Sequence, residues 1–295
     1  MLKSAVKVIT AFLIFSNGIV NAQNLRSFAV ENGNHFQTLN FTLTATSGSC
    51  QIKPGKRGLL DIYGTQSTSS VEPEFKTFDS NNTRYVNFQL KEPNMEGVGK
   101  VLSSKVFNSG NKNNWNVLIS EEKNLNLNLN YVIGDADVDL SGLPVETLKI
   151  KTGSANVNIG YPKGVSNPIC MDTLLVEVDL GSVKVNHLDL SNASTIMADV
   201  GFGSLTLDFG LRNEHPGTIT ASVGAGSLEV IVPSAQTPVI IHLNNSPLCH
   251  VKLDKSFRKL EPNIYVSNNY RPDAPNLLSF DLDVAMGNIT FRQTR

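Results

Sequence analysis

Ala136-Asp137-Val138-Asp139-Leu140 and Ala155-Asn156-Val157-Asn158-Ile159 are two copies of one short pattern. Each opens on Gly or Ala, continues with a small polar residue and an apolar one, then any residue, then a second apolar one. The pattern returns as Gly181-Ser182-Val183-Lys184-Val185, Gly203-Ser204-Leu205-Thr206-Leu207, Gly226-Ser227-Leu228-Glu229-Val230 and Gly287-Asn288-Ile289-Thr290-Phe291. Gly48-Ser49-Cys50-Gln51-Ile52 is a seventh version near the other end. Alternation with a period of two sends neighbouring side chains to opposite faces of a strand. Copies from Val138 to Leu228 recur every 19 to 26 residues or so, the interval at which each repeat is one rung of a stack. The sequence therefore predicts an all-β, solenoid-like stack of short strands of the β-helix type.

In such a stack Val138, Val157, Val183, Leu205, Leu228 and Ile289 form one inward column. Leu140, Ile159, Val185, Leu207, Val230 and Phe291 form a second. Asp137, Asn156, Ser182, Ser204, Ser227 and Asn288 line up outward as small hydrogen-bonding groups. The Gly or Ala that opens each copy implies either a clash with the rung above or a backbone angle that only Gly takes without cost. Pro233 to Pro275 reads as a partly irregular excursion before the closing strand, and Val71 to Asn114 as the most irregular stretch. Phe28 to Phe41 and Phe280 to Phe291 are the expected caps of the stack, where open strand edges need cover.

The first residues supply an address. Lys3 and Lys7 precede a mostly apolar run from Val8 to Val20, and Val20-Asn21-Ala22 offers a cleavage site. The run is short for a bilayer span and is broken by Ser16, Asn17 and Gly18. A signal peptide over residues 1–22, cut near Ala22-Gln23, leaves a mature domain of residues 23–295 outside the cytoplasm, periplasmic or at the cell surface, with no membrane span. No cysteine follows the cut, so the lipid-anchor signal is missing.

Composition narrows the partners. The formal net charge is -1, with 25 Lys and Arg against 26 Asp and Glu, which gives no electrostatic reason to expect nucleic acid. Three cysteines, Cys50, Cys170 and Cys249, allow at most one internal bridge. Cys170 with Cys249 is the pair to expect if a bridge forms; three unbridged thiols is the favoured arrangement.

The runs Leu125 to Gly160, Val200-Gly201-Phe202-Gly203-Ser204-Leu205-Thr206-Leu207-Asp208-Phe209 and Val223-Gly224-Ala225-Gly226-Ser227-Leu228-Glu229-Val230 with Pro233 resemble the bacterial toast-rack or putative-adhesin families. Tyr265-Val266-Ser267-Asn268-Asn269-Tyr270 and the closing strand extend the likeness over most of the chain. Those are domains of unknown function related to the extracytoplasmic part of cell-wall antibiotic-response regulators. The resemblance implies an all-β, solenoid-like envelope protein and carries no catalytic residues. Unlike those regulators, this chain shows no membrane span after its leader.

Chemistry-bearing motifs are sparse. Asp135, Asp137 and Asp139 alternate on one exposed face about 6.6 Å apart and are the candidates for holding a hard cation such as calcium. The next rung offers Asn156 and Asn158, so a solvated acidic strand is the plainer reading. His242, Cys249 and His250 include soft-metal ligand types, but their spacing matches no zinc pattern. There is no Gly-x-Ser-x-Gly elbow and no His-Glu-x-x-His helix. Trp115 sits in a strand-like run and reads as core rather than as a sugar-stacking platform. No catalytic residue and no cofactor is expected. The leading functional expectation is a non-enzymatic binding, adhesin-like or scaffold protein whose partner is an envelope macromolecule or another copy of itself. The alternatives are a polysaccharide-active enzyme on a β-helical scaffold and a component of an envelope-stress sensor.

Overall fold

A computed structural model of the chain describes residues 24–66, 72–91, 113–211, 214–233 and 237–294. The expected leader and its cleavage point lie outside these residues. The described chain is nearly all strand. It opens with β1 (Asn24–Val30), β2 (Thr38–Ala45), β3 (Ser49–Pro54), β4 (Leu60–Gln66), β5 (Glu72–Ser80), β6 (Thr83–Lys91) and β7 (Asn114–Ile119). Two long strands follow, β8 (Asn124–Asp139) and β9 (Val145–Gly160). Then come β10 (Met171–Val178), β11 (Ser182–Asn186), β12 (Ala193–Val200), β13 (Ser204–Asp208), β14 (Gly217–Val223) and β15 (Ser227–Val232). The last group is β16 (Val239–Asn245), β17 (His250–Leu253), β18 (Phe257–Glu261), β19 (Ile264–Ser267), β20 (Leu278–Val284) and β21 (Asn288–Gln293).

These strands build two walls that face each other across one apolar core. In the first wall the spatial order is β5, β6, β2, β8, β9, β10, β12, β14, β20, β16, β19, β18. In the second it is β1, β4, β7, β3, β8, β9, β11, β13, β15, β21, β17. Each rung contributes one strand to each wall; β8 and β9 supply both from a single bent strand. From β6 to β16 and from β7 to β17 the pairing is parallel, apart from the antiparallel strands that flank the two ends. Inward side chains stack in register along the axis. Leu43, Leu129, Ile150, Val176, Ala198, Ala221, Leu282 and Leu243 form one such column in the first wall, and all are buried. Burying one aliphatic side chain of this kind contributes roughly 1.5–3 kcal/mol before ordering entropy is subtracted.

The second wall contains the repeat, with one correction to its register. Ala136 pairs with Val157, and Val138 with Ile159. The first column is therefore Cys50, Ala136, Val157, Val183, Leu205, Leu228 and Ile289, and the second is Ile52, Val138, Ile159, Val185, Leu207, Val230 and Phe291. Asp135, not Asp137, stands beside Asn156 in the outward column, and Leu140 lies beyond the ladder in the end turn. The segment from Gly134 to Leu140 alternates so regularly that two registers satisfy the pattern. Its neighbours choose between them: Gly48 fits only where it passes over Gly134, whose added Cβ would lie 1.9 Å from the Gly48 carbonyl oxygen.

The reason for the small opening residue is close approach between rungs. A Cβ on Gly203 would meet the Gly181 carbonyl oxygen at 2.4 Å and Val178 Cγ1 at 2.6 Å. Gly226 stands over Gly203 in the same way, at 2.4 Å from its carbonyl oxygen. Neither glycine has a left-handed backbone, so space rather than angle selects the residue.

Both ends are built by the same device, which the sequence expectations placed elsewhere. β2 and β3 are not the first rung, because β6 and β7 lie outside them, covered in turn by β5 and by the β4–β1 pair. Likewise β20 and β21, expected as a cap, are inserted between the rung of β14 and β15 and the rung of β16 and β17. The expected excursion from Pro233 to Pro275 thus holds a full outer rung plus the β18–β19 hairpin. Within the stretch expected to be most irregular, Glu72–Lys91 forms the β5–β6 hairpin, its inner face made by Val86, Phe88 and Leu90; residues 92–112 lie outside the described part. Trp115 is buried against Phe28 and Phe88.

Polar groups in the returns are satisfied locally. Asn167, fully buried, donates through Nδ2 to the carbonyl oxygens of Val145 (2.7 Å) and Ser191 (3.1 Å), and its Oδ1 accepts from the Ile169 amide. One side chain thereby ties successive return loops together, as buried polar groups require.

All three cysteines are free. Cys170 precedes β10 at the start of a first-wall strand, and Cys249 precedes β17 at the start of a second-wall strand, four ladder steps away. At about 4.8 Å per step the axial separation alone is about 19 Å, far beyond disulfide reach.

Two measurements check this architecture. Gly203→Ala lowers stability by about 1–3 kcal/mol, since a carbonyl oxygen of the next rung must move; thermal unfolding that matches the parent protein would refute the close-packed corner. Burial pushes the Cys50 thiol up to about 12, although Tyr131 hydrogen-bonds to it, and a thiol without thiolate character is unreactive. Under native conditions at pH 8 a maleimide reagent therefore modifies exposed Cys170 quickly and leaves Cys50 untouched until the protein unfolds, as peptide mapping would show.

Candidate functional site

The outer face of the first wall carries its own columns. Running along the axis, one consists of Asn128, Lys149, Leu175, Met197, Thr220, Asp281 and His242. Beside it runs Asn130, Lys151, Glu177, Asp199, Ser222, Asp283 and Asn244. The two differ because alternate residues of each strand face outward, so every strand from β8 to β16 contributes one residue to each.

Between β10 and β16 this face is concave. A groove of about 830 Å³ is lined by residues of β10, β12, β14, β20 and β16 and by Asn263 and Ile264 at the head of β19. Its shape follows from side-chain size: Thr220 and Ser222 on β14 are short, with the longer Met197 and Asp281 to either side. The antiparallel β19 raises the far rim. Leu175, Met197 and Ile264 give the groove apolar sides around the short Thr220 and Ser222, and Met197 is exposed. Glu177, Asp199, Asp281 and Asp283 supply carboxylates, and no Lys or Arg is among the lining residues.

The carboxylates are not equivalent. Glu177 is bridged by Lys149 (2.9 Å) and Lys151 (3.1 Å) from the neighbouring strand β9. Hydrogen bonding from Lys149, then from Lys151, outweighs the opposing effect of burial and holds the Glu177 carboxyl below the usual carboxylate range. Asp281 accepts a hydrogen bond from His242 Nδ1 at 2.9 Å, and Asp283 accepts a long one from Asn244 Nδ2 at 3.4 Å.

A second concavity, of about 540 Å³, lies on the outer face of the second wall and includes two of the three aspartates singled out from sequence, Asp137 and Asp139. The three do not converge. Asp135 accepts from Asn156 Nδ2 (3.3 Å) and Asp137 from Asn158 Nδ2 (3.2 Å), each across to the next rung. Asp139 accepts from the Ser141 amide (2.9 Å) and pairs with Lys163 (2.8 Å). Burial alone would raise the Asp139 carboxyl, but hydrogen bonds from Lys163 and Ser141 outweigh it and hold the group low. Among the described residues no group of three or more His, Cys, Asp and Glu gathers in a metal-holding arrangement. His242 and His250 stand on different walls, in β16 and β17.

The groove residues escaped the sequence reading because no local motif joins them. Glu177, Asp199 and Asp283 each precede an inward apolar residue, Val178, Val200 and Val284, at the end of a first-wall strand. The signal lies in the strands that precede each Gly corner, which when aligned stack these acids, whereas the repeat pattern begins only at the corner.

No curated protein matches the chain. Among solved structures, a putative cell adhesion protein from Clostridium sporogenes aligns at 15% identity over 92% of this chain and 100% of its own, with a TM-score of 0.43. A putative adhesin from Bacteroides fragilis aligns at 13% identity over 92% and 98%, with a TM-score of 0.32. The family described as the N-terminal domain of toast_rack, DUF2154, matches residues 20–167, which reach from before β1 through β9 and include both long bent strands. With that match over half its length, and with its two-walled all-β stack, the chain belongs to the toast-rack family.

Proposed function

We propose that this is an exported, non-enzymatic binding module that engages an envelope macromolecule through the groove on its first wall. One observation carries the reading: an exposed concavity that combines apolar lining with a row of carboxylates on a parallel sheet. Ligand sites are concave and largely apolar, with a few placed polar groups. Export rests on the leader-like first 22 residues. Among the described residues no helix is long and apolar enough to cross a membrane.

A second reading, hydrolysis of an envelope polysaccharide, is favoured by the same carboxylates, which lie beside Lys149, Lys151 and His242. In such a reaction Glu177, held ionised by its two lysines, suits the nucleophile or base and not the general acid.

Photo-crosslinking separates site from surface. With a photoreactive residue at Met197, envelope-exposed protein gives a discrete adduct; with the same residue at Thr206, on the outer face of the second wall, it does not. Equal labelling at both positions, or none at Met197, sinks the groove as binding site, and an adduct of twice the chain mass identifies the partner as a second copy. Incubated with envelope polysaccharides, the purified protein releases no reducing ends. Release that survives purification and vanishes in Asp281→Asn would establish the enzyme instead.

A further inference from the structure

We infer that the occupant of this groove is a basic, extended polypeptide segment, one that alternates Lys or Arg with apolar side chains; the inference rests on the groove being the binding site. The charge pattern selects this ligand. Four carboxylates line the concavity; Lys149 and Lys151 answer Glu177 and His242 meets Asp281, so the acidic excess lies at Asp199 and Asp283, where an anionic polymer is repelled and a cationic one attracted. The apolar lining formed by Leu175, Met197 and Ile264 asks for side chains that a bare metal ion or a polyamine lacks.

The fold itself displays the contact at one end of the row. Lys149 and Lys151 stand two residues apart on an extended strand, point the same way, and both place their ammonium groups on Glu177. Lys151 owes its raised affinity for the proton first to Glu177, and then to the charges of Asp179 and Asp199. Beyond Glu177 the acidic column continues, but the chain's own lysines do not. Among the described residues no Lys or Arg pairs with Asp199 or Asp283, two ladder steps or about 10 Å apart. A partner strand running along the axis between the two outward columns would send alternate side chains to opposite sides, basic ones to Asp199 and Asp283, whose spacing of about 10 Å long Lys or Arg side chains reach from positions about 6.6 Å apart, and apolar ones to Leu175 and Met197.

The test uses fluorescence anisotropy with the mature chain and a labelled, end-blocked Lys-Val-Lys-Val-Lys peptide, with Glu-Val-Glu-Val-Glu as the charge-reversed control. The basic peptide binds and the acidic one does not, and raising salt from 25 to 200 mM weakens binding, as exposed charge pairing requires. Asp199→Asn with Asp283→Asn, both at outward positions, weakens binding at least tenfold, and circular dichroism shows the double variant folded. Glu229→Gln on the second wall changes it less than twofold. The inference is overturned if both peptides bind alike, if neither binds, if the double variant binds as the parent does, or if spermidine or calcium competes at concentrations equal to the peptide, which would make the groove a small-cation site. A Met197 crosslink that persists when the basic peptide fails to bind leaves the groove as a binding site and removes only this ligand; loss of both removes the site as well.

Discussion

Everything in this molecule depends on the parallel backbone ladder. Once strands stack in parallel and in register at about 4.8 Å, each position of one rung lies over the same position of the next. Whatever a residue needs, its counterparts need too. Inward columns must be apolar and of compatible size, which is why Ala198 and Ala221 stack together beside larger neighbours in the first wall. Corners must carry Gly, or Ala as at Ala155, where the chain crosses from one wall to the other, because the carbonyl of the neighbouring rung occupies that space. The sequence repeat is the imprint of this constraint.

The same constraint explains the ends. A parallel rung left exposed offers free amides and carbonyls to any passing strand. Both termini solve this by doubling back: the chain lays down an outer rung out of order, covers the first wall with antiparallel strands, and continues. At one end β5 covers β6 and the β4–β1 pair covers β7; at the other the β19–β18 hairpin covers β16. On the second wall β17 stays at the edge, four residues long and bearing Lys252, a short charged edge of the kind that discourages further pairing.

Because the ladder acts on every rung, the central architecture could be read from Gly181 to Val230 without coordinates: the inward and outward columns there stand as expected, and Cys50 and Ile52 join them. The misreadings have one physical source. Stacking order is not chain order at the ends, and no local pattern records that β20 slips between β14 and β16. The slip at Ala136 is of the same type, since a segment with a strict period of two is compatible with itself displaced by two, and only contact with Gly48 distinguishes the registers. The groove was illegible for a related reason: Glu177, Asp199 and Asp283 share one column through the ladder but lie 22 and 84 residues apart in sequence.

Outward columns are free of the packing demands that fix the inward ones, so they are where such a fold can acquire specificity. The two outer faces use that freedom differently. On the second wall, amides meet carboxylates from rung to rung, Asn156 with Asp135 and Asn158 with Asp137, while Lys163 from the adjoining loop answers Asp139. Like groups in a ladder repel or compete unless alternated in this way, and a face so alternated spends its polar groups on itself. On the first wall, among the described residues, lysine pairing stops after Glu177, and at the far rung only His242 meets Asp281 and Asn244 meets Asp283. Asp199 and Asp283 repeat the acidic position where stability alone would favour a neutral or basic residue, and Ser222 between them relieves the repulsion without supplying a counter-charge. A stack held together by inward columns tolerates that local cost, and charge without a Lys or Arg ion pair is left facing outward beside apolar side chains, where an arriving partner can neutralise it.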